Sequence, residues 1–170
     1  MVTSSFKKKL AALREKFGNA VAGDVHDPAF KKVVDLIFKG GDRRAKPYEG
    51  VSSFLDAALM LDAIDRPDCG GLDVALIGVP MDLGVTNRPG SRFGPRAVRQ
   101  VERVGPYSHV HRIVPVSHVK MADIGDVAFR SRYSLEQSHA DIEEYFSKVV
   151  AAGVVPIAVG GDHSISLPIL

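Results

Sequence analysis

The sequence predicts an α/β fold of three layers, with a parallel sheet lying between helices. Three observations carry that reading. Residues 72–79 form a compact apolar run suited to a strand buried on both faces, and residues 119–124 and 154–159 read as the next two strands. Helical patterns separate them, so strand and helix alternate along the chain. Each run also ends in a glycine-bearing loop, and open parallel sheets hold ligands outside the carboxyl ends of their strands.

The elements follow in order. Phe6, Leu10, Leu13 and Phe17 recur at helical spacing with lysines on the opposite face, and Gly18-Asn19 supplies a stop. Asp27-Pro28 provides an N-cap and a first-turn proline for a second helix. Its apolar face is Phe30, Val33, Val34, Ile37 and Phe38, and Gly40 ends it. A polar run over 40–47 follows. A third, short helix is expected over 53–64 on Phe54, Leu55, Ala58, Leu59 and Leu61.

After the first strand come a loop rich in glycine and proline and a short helix starting near Pro95. The second strand leads to Ser134-Leu135-Glu136-Gln137, a capping-box signature. It opens a helix carrying Leu135, Ile142, Tyr145, Phe146 and Val149, which stops at Gly153. The third strand is followed by a new helix with Ser166 as its cap. The βαβαβ order implies right-handed crossovers. A sheet of three strands would leave apolar edges and faces uncovered. Residues 51–170 are therefore read as the N-terminal part of a larger, apparently truncated domain, and residues 1–50 as a helical extension.

Composition narrows the class. The chain has 170 residues, 22 Lys+Arg against 20 Asp+Glu and a net charge of +2. That length suits one domain of about 100–200 residues. The near balance argues against nucleic acid as a partner. No apolar run approaches the roughly 20 residues of a membrane span, which argues against a membrane as well. The single cysteine, Cys69, excludes an internal disulfide framework and a paired-cysteine metal knuckle. Lysines 7–9 fall inside the first apolar face, so the N-terminus does not read as a signal peptide, and a cytoplasmic setting is expected. Charge is uneven: residues 1–50 hold 11 basic and 6 acidic side chains, whereas residues 51–170 hold 11 and 14. The basic helix face fits a solvated surface docked to the core or to a neighbouring subunit.

Chemistry concentrates in two loops. At the end of the third strand, Gly160-Gly161-Asp162-His163-Ser164 combines a tight backbone with a presented imidazole. His163 there can be a metal ligand, a general base or a structural hydrogen-bonding group. Asp162 can orient the ring or cap the loop. The loop over 78–96 contains four glycines and three prolines, with Arg88, Arg92 and Arg96 available to a carboxylate or a neighbouring subunit. A dinucleotide-binding turn is rejected because G-x-G-x-x-G is absent. His109 and His111 lie two apart, so on a strand they would share a face, or they simply lead into it. Asp123 and Asp126 read as residues shaping a turn, and His139 as a packing residue on its helix.

These residues resemble a family. Gly160-Gly161-Asp162-His163-Ser164 after an apolar strand is similar to the first metal-binding motif of the ureohydrolases, whose fold is of the arginase/deacetylase type. Asn87-Arg88-Pro89-Gly90-Ser91-Arg92-Phe93-Gly94-Pro95-Arg96 resembles the agmatinase-like branch, as does the segment from His118 to Val127 with its Asp-x-Gly-Asp turn. The likeness covers residues 72–170. It implies a hydrolase that uses two divalent ions, usually Mn2+ and in some members Ni2+, to cleave a guanidino compound to urea and an amine. Agmatine, guanidinobutyrate, guanidine and substituted guanidines all remain open as substrates. His163 carries over as a metal ligand. Asp162 and Ser164 carry over as residues that shape its turn, and Asp82, Asn87 and Arg88 as candidates for the substrate cleft. No catalytic acid or base is assigned.

The family also implies a homo-oligomer, a trimer or hexamer, with a hetero-oligomer open. Its two later motifs, of the forms Asp-Ala-His-x-Asp and Ser-x-Asp-x-Asp, do not occur in this sequence. One histidine cannot hold two ions, so the 170 residues alone are expected to be inactive. Two other readings therefore stand beside the enzyme: a non-catalytic partner subunit of such an oligomer, and an unrelated α/β binding module.

Overall fold

A computed structural model describes residues 4–18, 50–101, 108, 110, 111, 113 and 118–170. The chain divides into two compact units, Met1–Arg44 and Ala45–Leu170. In the first, helix α1 (Ser4–Phe17) forms where the apolar spacing predicts it, and Phe6, Leu10 and Leu13 are exposed on it. The helix expected from Asp27-Pro28 onward, and His109, lie outside the described residues; His111 is exposed.

The second unit is built on a four-stranded parallel sheet. Its strands are β1 (Ala58–Leu59), β2 (Val74–Val79), β3 (Met121–Asp126) and β4 (Val155–Gly160), in the order β1-β3-β2-β4. The three strands expected from the apolar runs are thus neighbours, with β2 between the other two. Val79 pairs with Gly160 and Gly78 with Asp126, so all three strands end at nearly the same level. Ala75, Ile77 and Val79 point to one face of β2, and Leu76 packs with Phe54 and Ala57 on the other. That two-faced burial is why β2 reads as a continuous apolar run.

Three helices follow the sheet strands: α2 (Gly94–Arg99), α3 (Leu135–Ala151) and α4 (Ser166–Ile169). Ile142, Phe146 and Val149 of α3 are buried against Ala122 and Ile124 of β3. Truncating a core phenylalanine such as Phe146 to alanine costs about 3–5 kcal/mol. The Ser134 hydroxyl accepts the Gln137 N–H at 3.2 Å and caps α3 as expected. The reciprocal half of the capping box is absent, because the Gln137 amide donates to Asp141 instead.

The helix expected over 53–64 does not form. The segment makes a 3-10 turn at Phe54–Asp56, the short strand β1, and a second 3-10 turn at Ala63–Asp65. Leu55 and Asp56 have φ of 56° and 53°, outside the helical region. The Phe54 N–H donates to the Asp123 carboxylate and the Met60 N–H to the Asp123 carbonyl. Pairing with β3 thus takes the Met60 donor that a helix would have used internally, and gives a buried partner to the Phe54 N–H, which the first turn of a helix would leave unpaired. On the far side of the sheet β4 is the outer strand, and its Val155 and Ile157 are exposed.

Candidate active site

At the carboxyl end of the sheet, the chain leaving β4 is laced to the chain leaving β2. Gly161 has φ +49°, and a β-carbon there would stand 2.5 Å from the Met81 carbonyl oxygen and 2.6 Å from that of Val79. Only glycine tolerates both the conformation and the approach. The next residue, Asp162, donates its N–H to the Met81 carbonyl at 2.9 Å. Its carboxylate accepts the Ser164 N–H at 2.8 Å and the Gly84 N–H at 2.9 Å. Asp162 is buried and caps the 3-10 turn His163–Ile165. Both of its oxygens are committed to amides, so it shapes the turn and joins it to the loop after β2.

His163 opens that turn and is exposed, with its Nδ1 3.1 Å from the Ser166 hydroxyl. Ser164 points the other way, toward α3, where His139 Nε2 lies 3.1 Å from its hydroxyl. His139, expected as a packing residue, is therefore half-buried and tied to the turn. Periodicity places it on a helix but carries no sign of this partner.

The loop after β2 is held by its own carboxylate. Asp82 accepts the Gly90 N–H at 2.8 Å and the Arg92 guanidinium at 2.7 Å. Burial works against the charged carboxylate, but the Gly90 amide and Arg92 outweigh it and hold its pKa below the usual value. Arg92 also lies over the Phe93 ring at 4.6 Å. Asn87 and Arg88 are exposed beyond the point where Gly84 meets Asp162.

At the end of β3 the structure adds a feature the sequence does not announce. Arg99 Nε and Nη2 donate to the two oxygens of Asp123 at 2.7 and 2.9 Å, and Nη1 donates to Asp126 at 2.6 Å. Asp123 is fully buried and also accepts the N–H groups of Phe54 and Gly125. The guanidinium stacks over the Phe54 ring at 3.9 Å. Asp123 and Asp126 shape their surroundings through this ion pair more than through a local turn. A cavity of about 260 Å³ opens beside them, lined by Leu59, Leu61 and Gly125 among others.

Other titratable groups in the core are quiet. Burial pushes the Tyr145 phenol up to about 12 and the Cys69 thiol above its ordinary value, so both remain protonated at neutral pH. Among the described residues no three His, Cys, Asp or Glu side chains converge as an ion site. His163 suits one donor position by exposure and chemistry. The described residues by themselves do not complete a metal centre.

Comparison with known proteins agrees with this architecture. Residues 72–170 match the family described as the Arginase family. The chain is 46% identical over 101 residues to the mitochondrial guanidino acid hydrolase of Homo sapiens, covering 59% of this chain and 28% of that protein. It is 40% identical over 100 residues to the guanidinobutyrase of Pseudomonas aeruginosa, covering 58% and 31%. It superposes with a TM-score of 0.63 on a hypothetical agmatinase from Burkholderia thailandensis, at 29% identity, covering 73% of this chain and 38% of that one. The chain spans roughly a third of the length of the curated relatives it matches. With this match running from β2 to the end of α4, the chain belongs to the arginase family.

Proposed function

We propose that this chain carries part of a hydrolase that cleaves a guanidino compound to urea and an amine, and that His163 supplies one ligand to its metal centre. Family membership removes the unrelated binding module from consideration. The observation that carries the reading is an exposed imidazole on a turn whose backbone is committed at Gly161, Asp162 and Gly84.

Guanidinium is resonance-stabilised and a poor electrophile, and a pair of divalent ions, Mn2+ or Ni2+, would supply the acidity that turns water into a competent nucleophile. The chain's own residues do the positioning. Asp162 holds the turn, with its carboxylate occupied by amides and not free to act as a base. Ser164, held by its own bond to His139, keeps the turn from rotating. Asp82 staples the loop after β2, which leaves Asn87 and Arg88 at its exposed tip as the candidates to meet substrate. Agmatine, guanidinobutyrate, guanidine and larger substituted guanidines fit this reading equally.

We place the reaction in a reducing aqueous compartment such as the cytoplasm, in keeping with the unpaired, buried Cys69. Among the described residues no helix is long and apolar enough to cross a membrane. A trimer or hexamer is the proposed assembly, and the exposed apolar side chains of α1 suit a subunit contact.

The test is His163→Ala in the whole protein. Metal counted by mass spectrometry should fall from two ions toward one per subunit, and urea release should drop by orders of magnitude, with the circular dichroism spectrum unchanged. A variant that keeps two ions and normal turnover overturns the assignment. A wild type that binds metal but releases no urea from any guanidino compound points to the non-catalytic partner subunit.

A further inference from the structure

We infer that Arg99 is a positioning residue for the His163 turn, acting through helix α2. The catalytic consequence rests on the hydrolase reading above; the structural consequence does not. Helix α2 is six residues long, about 9 Å at 1.5 Å per residue. Its two ends touch different strands of the sheet. At its N-terminal end Gly94 lies so close to β4 that a β-carbon would stand 2.5 Å from the Gly160 carbonyl oxygen. At its C-terminal end Arg99 grips Asp123 and Asp126 of β3. The helix therefore spans β2 as a strut, with Gly160, the last residue of β4, under one end.

The grip is unusually well specified. Each nitrogen of the guanidinium is used, Nε and Nη2 on Asp123 and Nη1 on Asp126, and the ring of Phe54 covers its face. A planar fork fixes direction as well as distance, which a lysine ammonium cannot do. Pro95 is buried and the helix is a single short rigid unit, so a shift at Arg99 is passed to Gly94. A second route leads to the same place. Asp82 binds Gly90 and Arg92, just ahead of α2, and Gly84 of that loop donates to Asp162. Both routes converge on Asp162, beside His163.

The experiment compares Arg99→Lys, Gly94→Ala and Val149→Ala in the whole protein. Arg99→Lys keeps the charge and loses the fork, Gly94→Ala pushes the strut from its other end, and Val149→Ala is a core truncation in α3 that serves as the stability reference. Hydrogen exchange should quicken about tenfold at the amides of Gly84, Asp162 and Ser164 in the first two variants, and stay within about twofold in the third at equal distance below its melting temperature. Urea release should show kcat lower by about 100-fold with KM within about threefold, the signature of a misplaced reacting group. Asp126→Asn, which weakens one arm only, should give a smaller rise in exchange and stands in if Arg99→Lys does not fold. Exchange at those amides equal to that of Val149→Ala, in every variant that folds, overturns the proposal. Faster exchange in a protein whose wild type releases no urea keeps the strut and removes the hydrolase reading. Unchanged exchange in an active enzyme does the reverse.

Discussion

Two strand ends in this molecule solve the same problem by different means. At the end of β4 the turn carrying His163 is held by backbone amides and one carboxylate, and a glycine and its next neighbour, Asp162, do most of the work. At the end of β3 a partly buried arginine and two aspartates hold α2 and the Phe54 segment in place. The β4 arrangement sets one carboxylate against backbone amides and, among the described residues, uses no ion pair, so it leaves the imidazole exposed. The β3 arrangement is charged and fully committed, so it offers rigidity and little free chemistry. Under the proposed function the two strand ends divide the labour, with β4 presenting His163 and β3 anchoring the frame around it.

The largest expected effect falls on the β3 side. Asp123→Ala leaves the Arg99 charge without its buried partner, and breaking a buried pair this way costs about 3–5 kcal/mol. Denaturant unfolding should show that loss, and a change below 1 kcal/mol would mean that water already screens the pair. Next comes Gly161→Ala. Its left-handed backbone and the two carbonyls facing the new β-carbon should destabilise the turn by about 1–3 kcal/mol. Unlike Asp123→Ala, it should abolish metal binding at His163 before the sheet unfolds, which calorimetry with and without Mn2+ would separate.

A smaller effect is expected for Asp162→Asn. The amide keeps one acceptor oxygen for two N–H donors, so one half-buried donor goes unmet at about 1 kcal/mol, the low end of the range for such groups. If stability is unchanged, water reaches Gly84 or Ser164. The smallest effect is a pH response at Asp82. Its folded pKa is depressed, so its contribution is present above the unfolded value of 3.8 and is lost as pH falls through the lower folded value. Because Arg92 is largely exposed, the contribution is a fraction of a kcal/mol. Asp82→Asn should flatten the stability profile below pH 4, and an unaltered profile would remove Asp82 as the staple of the loop.

Local patterns in the sequence determined the elements whose partners are close by or need no partner. The strands β2, β3 and β4 alternate with helices because a parallel connection needs a crossover, and β2 reads as a continuous apolar run because it is covered on both faces. Ser134 caps α3 because its acceptor lies three residues from the donor it meets. Gly160-Gly161-Asp162-His163-Ser164 was legible because a tight turn at a strand end needs its residue types in one short stretch. Tertiary structure alone decided what lies far apart in the chain. Arg99 meets Asp123 across 24 residues and His139 meets Ser164 across 25, and neither pair leaves a periodic trace. Residues 53–64 carry a helical pattern, yet the Asp123 carboxylate and carbonyl draw the N–H groups of Phe54 and Met60 into contact with β3. Local propensity differs by tenths of a kcal/mol per residue. A hydrogen bond to a buried charge is worth about 1.5–3 kcal/mol, so the long-range contact prevails.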